Sequence, residues 1–212
     1  MPKAMRIEMI SDVVCPWCVI GLRELERALA RLTDGLAASL HFQPYELNPT
    51  MPREGQGIVD IYKSKFGKTY SQMSQHREKS RSRAENVGFT INISENTRIY
   101  NTFDAHRLLH WAELEEKQLS LKHALFTAHF TMGQNIADHD VLTEVAASVD
   151  LPADEAKEVL AEGRFTQEVR SAEQHWRSAG VSSVPGFLVD RTHFISGSQP
   201  SETFEAMLRQ LL

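Results

Sequence analysis

Two cysteines are all that this chain of 212 residues contains. That excludes a disulfide-stapled scaffold, which needs several paired cysteines to replace a core. No stretch approaches the roughly 18 consecutive apolar residues that a membrane-crossing helix requires. The amino-terminal Met-Pro-Lys-Ala-Met-Arg carries neither an apolar signal core nor a cleavage site before the first strand-like run. Charge of one sign is not in excess: the net charge is −5 and the isoelectric point is near 6.0. The whole molecule therefore has no electrostatic attraction to nucleic acid or to an anionic membrane. Internal repeats and low-complexity tracts are absent as well. What remains, 42% hydrophobic and 24% charged, is the composition of an ordinary globular protein of one large domain or two small ones. The expectation is a soluble cytoplasmic protein. In that compartment a lone Cys-x-x-Cys is more often catalytic or metal-binding than structural.

Both cysteines lie in Cys15-Pro16-Trp17-Cys18. Before them, Met5 to Ile10 alternates as a half-buried strand does. After them, Leu22, Leu25, Leu29 and Leu32 recur on one helical face. Pro16 suits the first helical position, where its missing N–H costs nothing. Cys15 then stands at the helix entrance, where free backbone N–H groups and the positive end of the dipole stabilise a thiolate. Cys18 follows one turn further in, within reach of Cys15. An attacking thiol beside a resolving thiol is a redox centre.

Along the chain, Thr33-Asp34-Gly35 signals a turn. Leu40 to Leu47 reads as a second strand, which Pro44 demotes to an edge or a bulge. Strand, helix, strand suggests a parallel βαβ unit with the dithiol at the end of its first strand. From about residue 58 to 179 the periodicity is helical. Tyr70–Asn86 is polar and helix-prone, and Phe89–Ile93 reads as a short extended connection. Asn101 or Thr102 can cap the next helix. Leu119–Met132 forms another, Asp138 or Asp140 opens a third, Pro152 starts a short one, and the last runs from Phe165 to Ala179. Strands return at Phe187–Val189 and Thr192–Ile195 around a turn at Asp190-Arg191. A final helix after Pro200 would bury Phe204, Met207, Leu208 and Leu211.

This order, with Val184-Pro185 before the third strand, resembles the thioredoxin fold. More closely, it resembles the DsbA-type branch, in which helices interrupt that fold, and within it the mostly cytoplasmic FrnE-like subgroup. The residues that carry the likeness are Ser11 to Cys18, Glu46-Leu47-Asn48-Pro49, Asn101 to Leu109 and Ala128-His129-Phe130 with Asn135-Ile136. Val184 to Phe187 and Gly197-Ser198-Gln199-Pro200 complete it. The resemblance implies a thioredoxin-like domain from residues 1–50 and 180–212 and an inserted helical subdomain from 51–179. It implies a cis Pro185 packed on the dithiol, with the Val184 backbone free to pair with an extended substrate. Pro16, Trp17, Val184 and Pro185 would tune the redox pair. Gly186 departs from the pattern, where a bulkier residue is expected, and this would loosen the loop.

The function so implied is a thiol–disulfide oxidoreductase acting on disulfide-containing proteins or small thiols, with Cys15 as nucleophile and Cys18 as resolving thiol. It needs no cofactor beyond its own disulfide, with glutathione as a co-substrate at most, and works as a monomer or homodimer. Relatives with serine in place of the first cysteine use glutathione chemistry. The alternative is accordingly a glutathione-dependent isomerase or transferase, like 2-hydroxychromene-2-carboxylate isomerase or the kappa-class transferases, with Asn48 and Ser198 as glutathione contacts. A redox-sensing holdase is a third, non-enzymatic reading.

Competing uses of these residues are weaker. A zinc site would want a second cysteine pair. His106 and His110, one helical turn apart, read as polar flanks of buried Leu108 and Leu109 rather than as metal ligands. His129 would line a groove between the subdomains. The basic stretch from Lys63 to Arg83 reads as a solvated helix face, Trp17 as a residue packed on the helical cap or facing substrate, and Asp12 as a strand-end residue rather than a proton acceptor for Cys18.

Overall fold

A computed structural model describes residues 3–32 and 36–211, so the turn expected at Thr33-Asp34-Gly35 lies outside the described residues. Strand β1 (Lys3–Ser11) leads to helix α1 (Pro16–Arg31) and then to strand β2 (Leu36–Pro44). β2 runs parallel to β1, with Leu40 opposite Ile7. It stops at Pro44, which has no N–H to give the ladder, so Tyr45 to Leu47 leave the sheet. Near the carboxyl end, β5 (Gly186–Val189) and β6 (His193–Ser196) form a hairpin, and α9 (Ser201–Gln210) closes the chain. Asp190 and Arg191 both take positive φ in the hairpin turn, which matches its twist to the strands. The sheet order is β2-β1-β5-β6, with β5 antiparallel to β1, so β2 is the edge strand that Pro44 allows.

The expectation of a half-buried first strand is corrected by this order. Met5, Ile7 and Met9 enter the main core with α1 and α9, while Ile10 packs the opposite face with Tyr45 and Trp176. A central strand covered on both sides buries both of its faces.

Helices fill the interval between β2 and β5. A two-residue ladder of β3 (Gln56–Gly57) and β4 (Arg98–Ile99) brackets α2 (Ile58–Phe66) and α3 (Ser74–Asn86). After them come α4 (Phe103–Leu114), α5 (Gln118–Phe126), α6 (His139–Ala147), α7 (Ala153–Ala161) and α8 (Thr166–Ser178). Asp138 caps α6 by accepting from the Asp140 and Val141 amides, as its sequence position suggests. The single helix expected over Leu119–Met132 instead ends at Phe126 and widens into a π turn over Thr127–Thr131. The Met132 amide there reaches back five residues to the Thr127 carbonyl.

The fold is thus a mixed α/β thioredoxin fold with an inserted helical subdomain. Its two largest apolar cores meet at the dithiol. Val13 and Val14 belong to the core of α4 to α7, whereas Cys15 and Cys18 belong to the core of the sheet with α1 and α9. The reactive segment is the seam between them.

Candidate active site

α1 begins at Pro16, and Cys15 is its N-cap residue with extended backbone (φ −93°, ψ 113°). The Cys15 amide donates to the Asp12 carbonyl at 3.3 Å, and the Cys18 amide to the Cys15 carbonyl at 3.0 Å. Those two bonds wind the chain into the helix with both thiols on its first turn. Cys15 and Cys18 are both free thiols. Cys18 is wholly enclosed, while Cys15 retains 4% exposure at the wall of a cavity. Burial, followed by the neighbouring Cys15 thiol, pushes the Cys18 thiol well above the usual thiol range, and the charge of Lys122 pulls the other way.

The Val184–Pro185 peptide is cis, and the Cys15 thiol donates to the Val184 carbonyl at 3.7 Å. Gly186 does not leave this loop loose. It occupies the first rung of β5, opposite both Ile10 and Ser196, and the Gly197 amide holds the Pro185 carbonyl at 2.8 Å. A Cβ on Gly186 would stand 2.6 Å from the Phe194 ring, so glycine leaves room for that ring against the strand.

Gly21 is a residue that sequence reasoning passed over. One turn beyond Cys18, its missing Cβ would come 3.1 Å from the Phe187 ring and 3.2 Å from Pro185 Cγ. The signal was available: glycine inside a helix costs about 1 kcal/mol against alanine, so its presence marks a close approach. We predict that Gly21→Ala pushes α1 off the Pro185 loop. Overpacking of about 1–3 kcal/mol outweighs the gain in helix propensity, lowering the urea midpoint and slowing thiol exchange. Unchanged values for both would show that the contact gives way freely.

The cavity holds about 310 Å³ and runs between the dithiol and the inserted helices. Its apolar wall includes Val14, Ile58, Ile61, Tyr62, Phe66 and Phe130, and its floor presents Cys15, Pro16, Trp17 and Val184. Among the described residues no carboxylate lines it, but Lys65, His76 and Arg77 do. Lys65 stays exposed at the cavity rim, as a solvated basic face requires, and that expectation is corrected only for Arg77, which is half-buried. Arg77 lies 3.4 Å above the Tyr70 ring, and Lys65 donates to the Leu47 carbonyl. Arg81 and Arg83, by contrast, pair with Glu78 and Glu24. Trp17 lines the cavity and also packs edge-on against His76 of α3.

Of the two polar contacts named from sequence, Asn48 lines the cavity and its Oδ1 is buried without a hydrogen-bond partner. Ser198 does not line it; its Cβ lies behind the loop, close to Gly21. His129 is corrected too. It is buried beside Phe130 rather than lining the groove, and burial pushes its imidazole down to about 4, against an upward pull from Asp12. The π turn gives Phe130, not His129, to the cavity.

Behind the dithiol lies a polar cluster, where the sequence suggests only a strand-end residue and a helix-flanking histidine. Asp12 is fully buried, and its Oδ2 accepts from the Leu47 amide at 2.7 Å. His106 Nε2, equally buried, stands 3.4 Å from the other carboxylate oxygen. Burial pushes the Asp12 carboxyl up, but His106, the Leu47 amide and Thr102 together hold it below the ordinary value.

The profile of the DSBA-like thioredoxin domain matches residues 6–209 of the chain. A probable DsbA oxidoreductase from Streptomyces coelicolor is 31% identical, with 97% of this chain and 89% of that one superposing at a TM-score of 0.89. The uncharacterised protein YwbO of Bacillus subtilis is 28% identical over 200 residues, or 94% of this chain and 93% of its own. The cytosolic disulfide reductase DsbM of Pseudomonas aeruginosa, solved with GSH, shares the fold at 17% identity, with 97% of this chain and 98% of that one covered at a TM-score of 0.64.

Proposed function

Given that the chain belongs to the DSBA-like thioredoxin family and is a thiol–disulfide oxidoreductase acting through Cys15 and Cys18, we propose that Cys15 attacks and Cys18 resolves. The observation that carries this assignment is the difference in access: Cys15 reaches the cavity wall beside Val184, while Cys18 is sealed beneath it. In the reducing direction the Cys15 thiolate attacks one sulfur of a substrate disulfide, forming a mixed disulfide and expelling the other sulfur as a thiolate. Cys18 then attacks Cys15 and releases its proton to the departing substrate sulfur. The Cys15–Cys18 disulfide forms, and the second substrate sulfur leaves with that proton. Oxidation of a substrate dithiol runs the same steps backwards.

In this reading Pro16 and Trp17 tune the pair through the helix start, and Val184 with Pro185 presents backbone to an extended substrate strand. Asn48, which lines the cavity, contacts the substrate. Substrates are disulfide-bearing proteins or small thiols such as glutathione, and the chain acts as a monomer or homodimer in the cytoplasm. The described residues contain no helix long and apolar enough to cross a membrane, and a structural relative is named as a cytosolic reductase. The segments from Ser11 to Cys18 and from Val184 to Phe187 support membership of the FrnE-like subgroup. The domain division follows the same pattern: residues 1–50 and 180–212 form the redox domain, and 51–179 the helical cover of its cavity.

The test is a trap. Cys18→Ser, mixed with a disulfide substrate, should accumulate an adduct at Cys15 whose added mass equals one substrate half and which a reductant removes. Absence of any such adduct would sink the division of roles.

A further inference from the structure

Lys122 on α5 is fully buried, and its ammonium has no hydrogen-bond partner among the described residues. Arg107, also buried, makes an instructive contrast, because it donates to Asp104 and to the carbonyls of Val159, Leu160 and Arg164. Lys122 is left with two aromatic faces. Its Nζ lies 5.6 Å from the Phe42 ring centre and 5.1 Å from that of Phe126, within the range of cation–π attraction. Both rings belong to the core that holds Cys15 and Cys18. Burial pushes the Lys122 ammonium down to about 8, while Cys18, Asp12 and Cys15 each pull it up. At neutral pH it therefore remains mostly charged. An ammonium so placed is costly to the fold unless an anion faces it.

The acidic groups whose charge acts on it are Asp12 from the β1–α1 connection, and Cys15 and Cys18 from α1. Asp12 is shared with His106 and the Leu47 amide and is present in both redox states. A thiolate is present only when the pair is reduced. We propose that Lys122 is the counter-charge of the reduced dithiol, reaching it from the inserted helices through the core, and that it biases the Cys15–Cys18 pair towards the reduced state. Lys122 acts as a positioning charge and breaks no bond itself. The proposal rests on the thiol–disulfide reading above and adds the group that sets the potential of that pair.

The reaction that reads this out is exchange with glutathione. The Cys15 thiolate, the Cys18 thiol and one oxidised glutathione give the Cys15–Cys18 disulfide, one glutathione thiol and one glutathione thiolate, which takes a proton from solvent. The ammonium stabilises the left side alone. Lys122→Met keeps the length of the stem against Phe42 and Phe126 and removes the charge. Since apolar replacement of a buried ion is often neutral or stabilising, the variant should fold.

Wild type, Lys122→Met and Lys122→Arg are equilibrated with buffers of reduced and oxidised glutathione, and the disulfide fraction is read by alkylation and mass. Lys122→Met should shift the equilibrium constant at least tenfold towards the disulfide, making the pair about 30 mV more reducing. Lys122→Arg, which keeps the charge, should remain closer to wild type. Thermal melts of both redox forms provide a second reading: in Lys122→Met the reduced form should lose stability relative to the oxidised form by the same tenfold factor. A folded Lys122→Met with an equilibrium constant within about twofold of wild type overturns the proposal. So does a shift that Lys122→Arg shares in full, which would mean packing and not charge. If wild type itself does not titrate, the thiol–disulfide reading has failed, and this inference fails with it.

Discussion

Cys15→Ser should reduce disulfide exchange by a factor on the order of 10³ or more while leaving the fold intact or slightly firmer. The loss is large because the hydroxyl of serine is not ionised at neutral pH and has no adjacent base here to activate it. Cys18 cannot take over, since it is sealed from the cavity and its thiol is pushed up by burial beside Cys15. Stability moves the other way. Cys15 is the N-cap of α1 and makes no side-chain capping bond, whereas serine is among the preferred caps, worth about 1 kcal/mol over residues that do not cap. The measurement pairs a turnover assay on a disulfide substrate with a thermal melt. Activity lost together with the melting transition would mean only that the fold had been broken. Activity retained at the wild-type level would remove Cys15 from the mechanism.

Asp12→Ala should cost about 1–3 kcal/mol of stability, the usual penalty for leaving a buried donor without its acceptor. The substitution strips the Leu47 amide of its acceptor and leaves the buried His106 ring facing an empty space. It acts at the seam, since the Asp12 backbone carbonyl also receives the Cys15 amide. Asp12→Asn keeps an acceptor for Leu47 and should lose much less. The pH dependence gives an independent check. Because the folded carboxyl titrates below its ordinary value of about 3.9, the native state binds fewer protons than the unfolded chain in the acid range. Its stabilisation is complete above about pH 3.9 and is lost as pH falls through the lower folded value. Urea unfolding along the acid limb should therefore flatten in Asp12→Asn. A cost below about 1 kcal/mol for Asp12→Ala would remove this cluster from the list of anchors.

Local patterns made the centre of this protein readable. Pro16 at a helix start, an apolar run before it and leucines at helical spacing after it place Cys15 at the N-cap, and the structure has it there. The hairpin around Asp190-Arg191, the cap at Asp138 and the edge position of β2 were equally local, because each depends on the backbone preference of a few adjacent residues. The π turn after Phe126 was not readable. Its sequence is as helical as its neighbours, and the widening becomes visible only in where Phe130 and His129 end up.

By itself, then, the sequence determined the dithiol, its place between a strand and a helix, and the βαβ and ββα halves that hold it. These follow from spacing and residue type within short windows. Only the tertiary structure decided what surrounds the sulfurs. A lysine on a helix is solvated unless another element covers it, and β2 brings Phe42 over Lys122 from a segment distant in the chain. Asp12 meets His106 across the seam of two cores, and Lys65 and Arg77 become cavity wall because α2 and α3 fold over Cys15. Burial of a charge is a property of what packs against it, and periodicity, which reports only the face of one element, does not carry that information.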